Sequence, residues 1–480
     1  MKTVVVCILV ILIFLVLILC ICLIRTLALK PTPAMTAKIA EGVDNRALTY
    51  GKRLGDMIRC ETISNYMDKD TSKFYKFHGV LEELFPEIHK SCDKKDFNGS
   101  LLYRWKGTNA KEPVMLMSHM DVVEAGGDWE HAPFGGEIID GKVWGRGTVD
   151  TKGNLFCIMQ AVEELIKEGY LPEGDVYIAS SCTEEIVGEG AALTAEYLKE
   201  NGIKLRLLID EGGMIMEEPL GGLKGTYGMV GVLEKGYGDV KFIARSNGGH
   251  ASAPSKNTPL VRLAAFICEA EKKSPFKARL NPTILEMFRC YAPNMVFLMR
   301  FVFANLWLFK PVLAKILVGI NPLAGAMVKT TLAFTTAKGS GGLNVLPEEA
   351  YVTGNMRFIH HQGTKESINL VREIAEKYDI TTEIMATYDP CPEVDYQGEA
   401  FKLIAGTANA IYPGVGITPY VMTGTTDCKF YSEVCDNALR FAPLYIDKQQ
   451  HASVHGLNEN IDAAALPKGV DYFKLLIKSL

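Results

Sequence analysis

From about residue 40 to the C-terminus, short apolar runs alternate with stretches of helical periodicity. That alternation confines the body of the chain to an α/β architecture. Residues 114–118 read as a buried strand, 176–181 and 205–209 as two more, and 154–169 as an amphipathic helix. The chemically distinctive residues fall directly after these strands, where open α/β sheets bind their ligands. A length of 480 residues allows one to three domains. With 51 basic and 56 acidic residues there is no sequence-wide basic field, which argues against a nucleic-acid partner. The 44 glycines follow no period and 48% of the residues are hydrophobic, which excludes collagen-like and disordered chains.

A second unit interrupts this pattern between residues 238 and 388. It reads strand 239–244, helix 260–272, strand 331–336, strand 349–358, helix 365–378, strand 381–388, the β-α-β-β-α-β order of a ferredoxin-like fold. Between its first helix and second strand lies an extra apolar segment, residues 274–330. Its most apolar part, 295–320, is broken by Arg300, Lys310, Pro311 and Lys315, which weighs against a second transmembrane span. One reading is a helical hairpin packed on its own domain; the other is a lipophilic surface that meets a membrane or an acyl chain. The expected division is therefore 1–35 anchor and spacer, 36–237 with 389–480 the catalytic domain, and 238–388 the inserted domain.

Residues Val4 to Ile24 contain no charge. As a helix, that run extends roughly 31 Å, about one hydrocarbon core, so it is expected to be a single-pass membrane anchor. A cleaved signal peptide is the alternative, with Thr26-Leu27-Ala28 as its cleavage site. Lys2 precedes the run and Arg25, Lys30 and Lys38 follow it, a near-tie that leaves orientation open. The expected placement of the body is extracytoplasmic or lumenal. Nine of the 12 cysteines lie outside the run, an odd number at irregular spacing and unlike a disulfide framework.

The strand ends carry a metal-ligand constellation. His119-Met-Asp121 closes the first strand, and Asp150 precedes the amphipathic helix in Gly-Arg-Gly-Thr-Val-Asp-Thr-Lys-Gly. Glu184-Glu185 follows the next strand, Asp210 follows Leu-Leu-Ile, and His455 stands in His-Gly-Leu-Asn-Glu. Singly, each has a structural explanation: Asp150 a helix cap, the Glu pair a solvated surface. Together, two imidazoles and three or four carboxylates are the donor set of two zinc ions. Intervals of 31, 66 and 91 residues from His119 to Asp150, Glu185 and Asp210 suggest a catalytic site assembled by the fold.

These motifs resemble those of the co-catalytic zinc metallopeptidases, which include acetylornithine deacetylase, aminoacylase and carboxypeptidase G. The inserted Gly248-Gly-His250-Ala-Ser-Ala-Pro254 is similar to that family's lid signature, so the inserted unit is expected to be a lid and dimerisation domain. The resemblance implies that Asp150 bridges two metals, that His119 and Asp210 complete one zinc, and that Glu185 and His455 complete the other. It implies that Asp121 orients His119, that Glu184 is the general base, and that His250 stabilises the oxyanion. Asn344, Arg357 and Gly424 match positions that hold the substrate carboxylate or line the lid face. Thr183 stands where many relatives have an acidic residue before the Glu pair, a difference that bears on local pKa tuning. Cobalt or manganese can replace zinc on such ligands.

The anchor, the length and the long lid insertion most resemble the carboxypeptidase S and N-fatty-acyl-amino-acid hydrolase branch. The implied reaction is hydrolysis of an amide next to a free carboxylate, in a peptide or an N-acyl amino acid. The alternatives are a deacetylase or dipeptidase of a small soluble metabolite, or a non-catalytic interaction protein. A homodimer through the lid is the implied assembly.

Overall fold

The strands Val114–Met117, Val176–Ser180 and Leu207–Asp210 are buried throughout and run parallel and adjacent, with Val114–Met117 in the middle. Side chains alternate between the two faces of a strand. Val114, Leu116, Val176, Ile178, Leu207 and Ile209 therefore enter one core, and Met115, Met117, Tyr177, Ala179 and Leu208 the other. Helices Lys152–Lys167 and Leu466–Lys478 cover the first face and Gly190–Glu200 the second. These three strands lie within a mixed ten-stranded sheet. The computed structural model describes residues 2–32, 44–68, 70–109, 112–320 and 322–480. Lys38 and the expected boundary at 35/36 lie outside these residues.

A second sheet contains Gly236–Arg245, Thr331–Lys338, Glu349–Phe358 and Ile380–Tyr388, all antiparallel. In space the first strand lies between the third and the last, the ferredoxin-like order. Helices Pro259–Lys272 and Gly363–Glu376 cover one face, closing a small core around Phe242, Phe266 and Met356. The expected boundary at 238 falls inside Gly236–Arg245, because the preceding strand Thr226–Glu234 passes into this one through Lys235 alone.

The apolar insertion folds as helices Pro282–Tyr291, Phe297–Ala304, Leu306–Ile320 and Pro322–Val328. Its flanking residues Phe276 and Lys277 touch the inserted unit, but its helices pack elsewhere. Ile284, Met287, Phe288, Tyr291 and Phe303 join the core of the ten-stranded sheet, with Pro282–Tyr291 lying against the strand Gly416–Met422. Tyr291 meets Tyr227 edge-on at 4.9 Å, and Asn294 donates to the Tyr227 hydroxyl at 2.9 Å. The two middle helices meet at 114°, so they form no straight span.

The N-terminal helix Lys2–Ala28 is long and apolar enough to cross a membrane, and its side chains from Val4 to Leu17 are all exposed. Its C-terminal end is held by the insertion. Asn305 donates to the Cys22 carbonyl at 3.1 Å, and Arg25 donates to the Ala304 carbonyl at 3.3 Å.

Candidate metal centre

The carboxyl ends of the three parallel strands bring the candidate ligands together. His119, after the middle strand, is buried; its Nε2 lies 3.1 Å from Asp150 Oδ1 and 3.5 Å from Glu211 Oε1. Its Nδ1 faces the Asp121 backbone carbonyl at 2.9 Å, which directs Nε2 into the site. His455 approaches from the other side, with Nε2 3.0 Å from Asp150 Oδ2 and 3.2 Å from Glu185 Oε2. Asp150 thus turns one oxygen to each imidazole, the disposition of a carboxylate that bridges two cations.

Asp121 organises the pocket without entering it. Its carboxylate accepts the backbone N–H of Glu184 at 3.2 Å and of Glu185 at 3.1 Å, and the Ser64 hydroxyl at 2.6 Å. One buried residue therefore fixes both His119 and the Glu pair. Glu184 shares a ligand-sized cluster with His119 and Glu211; Glu185 shares another with His119 and Asp150.

Asp210 is not where the resemblance put it. Its Oδ1 accepts the Glu211 N–H at 2.9 Å and its Oδ2 accepts the Cys428 N–H at 2.9 Å. Strand alternation places Asp210 on the face shared with Leu208, whereas Glu211, one residue on and one methylene longer, reaches His119. Glu211 therefore replaces Asp210 in the cluster. Sequence held the signal, since the two carboxylates are adjacent, but not the means of choosing between them.

Glu459 is a second residue that sequence reasoning passed over. Fully buried, it accepts Arg146 Nη1 at 2.7 Å and the backbone N–H groups of Gly147, Val149 and Asp150 at 3.1, 2.8 and 3.1 Å. It pins the loop that carries Asp150. Its clue was its place four residues after His455 in the same motif.

The electrostatics are those of crowded acids. Burial pushes the Glu184 carboxyl well above its ordinary range, against the pull of His119. Burial also raises Glu211, and neighbouring Asp150 adds to the effect. Hydrogen bonds to Asp150 and Glu185 push His455 up to about 10. His119 is raised as well: burial opposes its charge, but Glu211, Asp121 and Asp150 outweigh it. Glu185 Oε1 is buried with no hydrogen-bond partner. Two imidazoles, four acids and an orphaned carboxylate oxygen form a donor set that suits divalent cations.

The substrate-side candidates divide. Arg357 donates to the Thr425 hydroxyl at 3.1 Å, beside Gly424, and its guanidinium lies 4.7 Å over the Tyr237 ring. The Thr425 loop is tied to buried Glu234 through the Thr426 N–H at 2.8 Å and hydroxyl at 3.0 Å. Arg357 and Gly424 therefore meet at the joint between the two sheets. His250 and Asn344 lie together elsewhere, on the exposed ribbon Gly249–His250 and Val345–Leu346, where Ala251 N–H donates to the Asn344 carbonyl at 2.9 Å. Among the described residues, no hydrogen bond or ion pair joins His250 to the acid cluster.

Known proteins share both sequence and fold with this chain. Residues 115–479 match the pattern of peptidase family M20/M25/M40. A probable carboxypeptidase S-like 2 of Dictyostelium discoideum is 31% identical, covering 90% of this chain and 85% of the relative. The N-fatty-acyl-amino acid synthase/hydrolase PM20D1 of Xenopus tropicalis is 30% identical over 88% of this chain and 84% of its own length. In fold, an M20 family metallo-carboxypeptidase from Sulfolobus solfataricus aligns with a TM-score of 0.67 at 17% identity, over 89% of this chain and 98% of that one.

Proposed function

Because this chain belongs to peptidase family M20/M25/M40, a family of metal-dependent hydrolases of amide bonds, we propose that it cleaves N-acyl amino acids whose acyl chain is lipophilic. The observation that carries the reading is Asp150, with one oxygen toward His119 and the other toward His455. In this reading His119, Glu211 and Asp150 would hold one zinc ion, and His455, Glu185 and Asp150 would hold a second. Such ions polarise a carbonyl and acidify water.

The chain's own residues do the rest. Glu184 takes a proton from the attacking water and passes it to the leaving nitrogen, and the rise in its pKa on burial makes it the stronger base for the first transfer. The water oxygen bonds to the acyl carbon, the C–N bond breaks, and a fatty acid and an amino acid leave. Arg357 pairs its planar fork with the substrate carboxylate, and the Gly424 loop offers backbone beside it. Asn344 and His250, exposed on the inserted unit, act from a lid; His250 reaches the carbonyl oxygen of the centre in a second copy of the chain. The N-terminal helix anchors the enzyme in a membrane, with its body extracytoplasmic or lumenal.

The test compares hydrolysis of a long-chain N-acyl amino acid with that of a matched dipeptide by the full-length, zinc-loaded chain in detergent. Chelator-sensitive cleavage favouring the acyl substrate is the expected result. A preference for the dipeptide refutes the lipophilic reading and makes the chain a peptidase of C-terminal or dipeptide bonds.

A further inference from the structure

The helix Leu306–Ile320 has two apolar faces. Leu306, Leu313, Ala314 and Leu317 are buried in the core, as expected of a surface helix. Its outer face is also apolar: Trp307 is 54% exposed, Val312 55% and Ile320 67%. Leu308 and Ile316 continue this row at four-residue intervals, and Leu298 on the preceding helix is 72% exposed. A soluble helix carries polar side chains on such a face. Contiguous exposed apolar surface of this kind marks an interaction site.

Charge says what kind of site. Residues 274–330 hold seven lysines and arginines against one glutamate, within a chain of net charge -5. An apolar face bordered by Lys310 and Lys315, with a tryptophan at the bend, is the composition of a helix lying in the headgroup region of an anionic bilayer. Position says which bilayer. The insertion grips the last turns of the N-terminal helix through Asn305 and Arg25. Between them lies a cavity of about 390 Å³ lined by Arg25, Leu29, Arg289, Phe303, Leu306 and Trp307. Two guanidinium groups over apolar walls suit a phosphate with acyl chains beneath it.

We propose that Phe297–Ala304 and Leu306–Ile320 form a docking surface that lies in the interface of an anionic phospholipid bilayer, beside the membrane-spanning N-terminal helix. This rests on reading that helix as a span. The two helices then hold the catalytic body against the leaflet from which a lipophilic substrate partitions.

The experiment uses the full-length chain in phosphatidylcholine–phosphatidylglycerol vesicles containing brominated lipid. Tryptophan quenching in the wild type minus that in Trp307→Phe isolates Trp307. The expected result is quenching of Trp307 that is lost in Val312→Asp/Ile316→Asp, with both proteins resisting carbonate extraction. Quenching without carbonate resistance supports the docking surface and sinks the span. Carbonate resistance without Trp307 quenching leaves the span standing and overturns the docking surface. A dimer in detergent that the same double variant dissolves would then assign the face to a second copy of the chain.

Discussion

Substituting Asp210 and Glu211 separately should produce opposite phenotypes. Asp210 is buried, and its carboxylate accepts two backbone N–H groups, those of Glu211 and Cys428. Hydrogen bonds to a charged acceptor contribute about 1.5–3 kcal/mol each, so Asp210→Ala should cost roughly 3–6 kcal/mol. That is a large share of a typical stability of about 5–15 kcal/mol. Glu211 instead spends its carboxylate on the site, 3.5 Å from His119 Nε2, where burial and neighbouring Asp150 raise its pKa. Glu211→Gln should leave the metal-free fold as stable as before, or more so, since it replaces a buried carboxyl whose anion burial and Asp150 disfavour. Its metal affinity should fall by more than the ~10–100-fold seen when only a supporting residue is lost. Denaturant unfolding of the metal-free proteins, with metal content measured by elemental analysis, separates the two effects. If Asp210→Asn lost one metal equivalent while Glu211→Gln kept both, the assignment of Glu211 would be refuted.

Other predictions follow from the same geometry. Glu184→Gln should keep its metal and lose turnover by about 10²–10⁴-fold, measured as kcat on metal-loaded protein; unchanged kcat rejects it as the base. Glu459→Ala leaves Arg146 buried without its carboxylate partner and should cost about 3–5 kcal/mol, read by chemical denaturation. Arg357→Lys should raise KM for carboxylate substrates with a smaller effect on kcat, because an ammonium cannot make the paired contact. Lys235 is buried between the two sheets, where burial, with help from Arg357 and Lys329, lowers its pKa to about 7. A depressed lysine contributes stability present above its unfolded value, about 10.4, and lost as pH falls through about 7. The wild type should therefore gain stability between pH 7 and 10, and Lys235→Met should flatten that rise in urea titrations at several pH values.

Much of this was legible before the structure. The period of apolar residues yielded the three parallel strands to within a residue or two, and the inserted unit in its correct order. Both rest on local burial patterns that a strand or helix must display wherever it packs. The candidate ligands were legible for a different reason: ligand chemistry admits few residue types, and strand ends are where they gather. The insertion was legible only in composition. Its apolar character did not say which neighbour it covers, and it packs on the ten-stranded sheet and the N-terminal helix.

Sequence by itself determined the fold class, the long apolar N-terminal helix, and the clustering of histidines and acids at strand ends, because these depend on residue type and spacing. Tertiary structure decided between neighbours of equal chemistry. Asp210 and Glu211 are both carboxylates, and only the twofold alternation of a particular strand turns one to the wall and the other to the site. It also decided what Glu459 does. A charged side chain far along the chain from the loop it holds becomes a structural pin only once folding has brought four donors around it and removed the water.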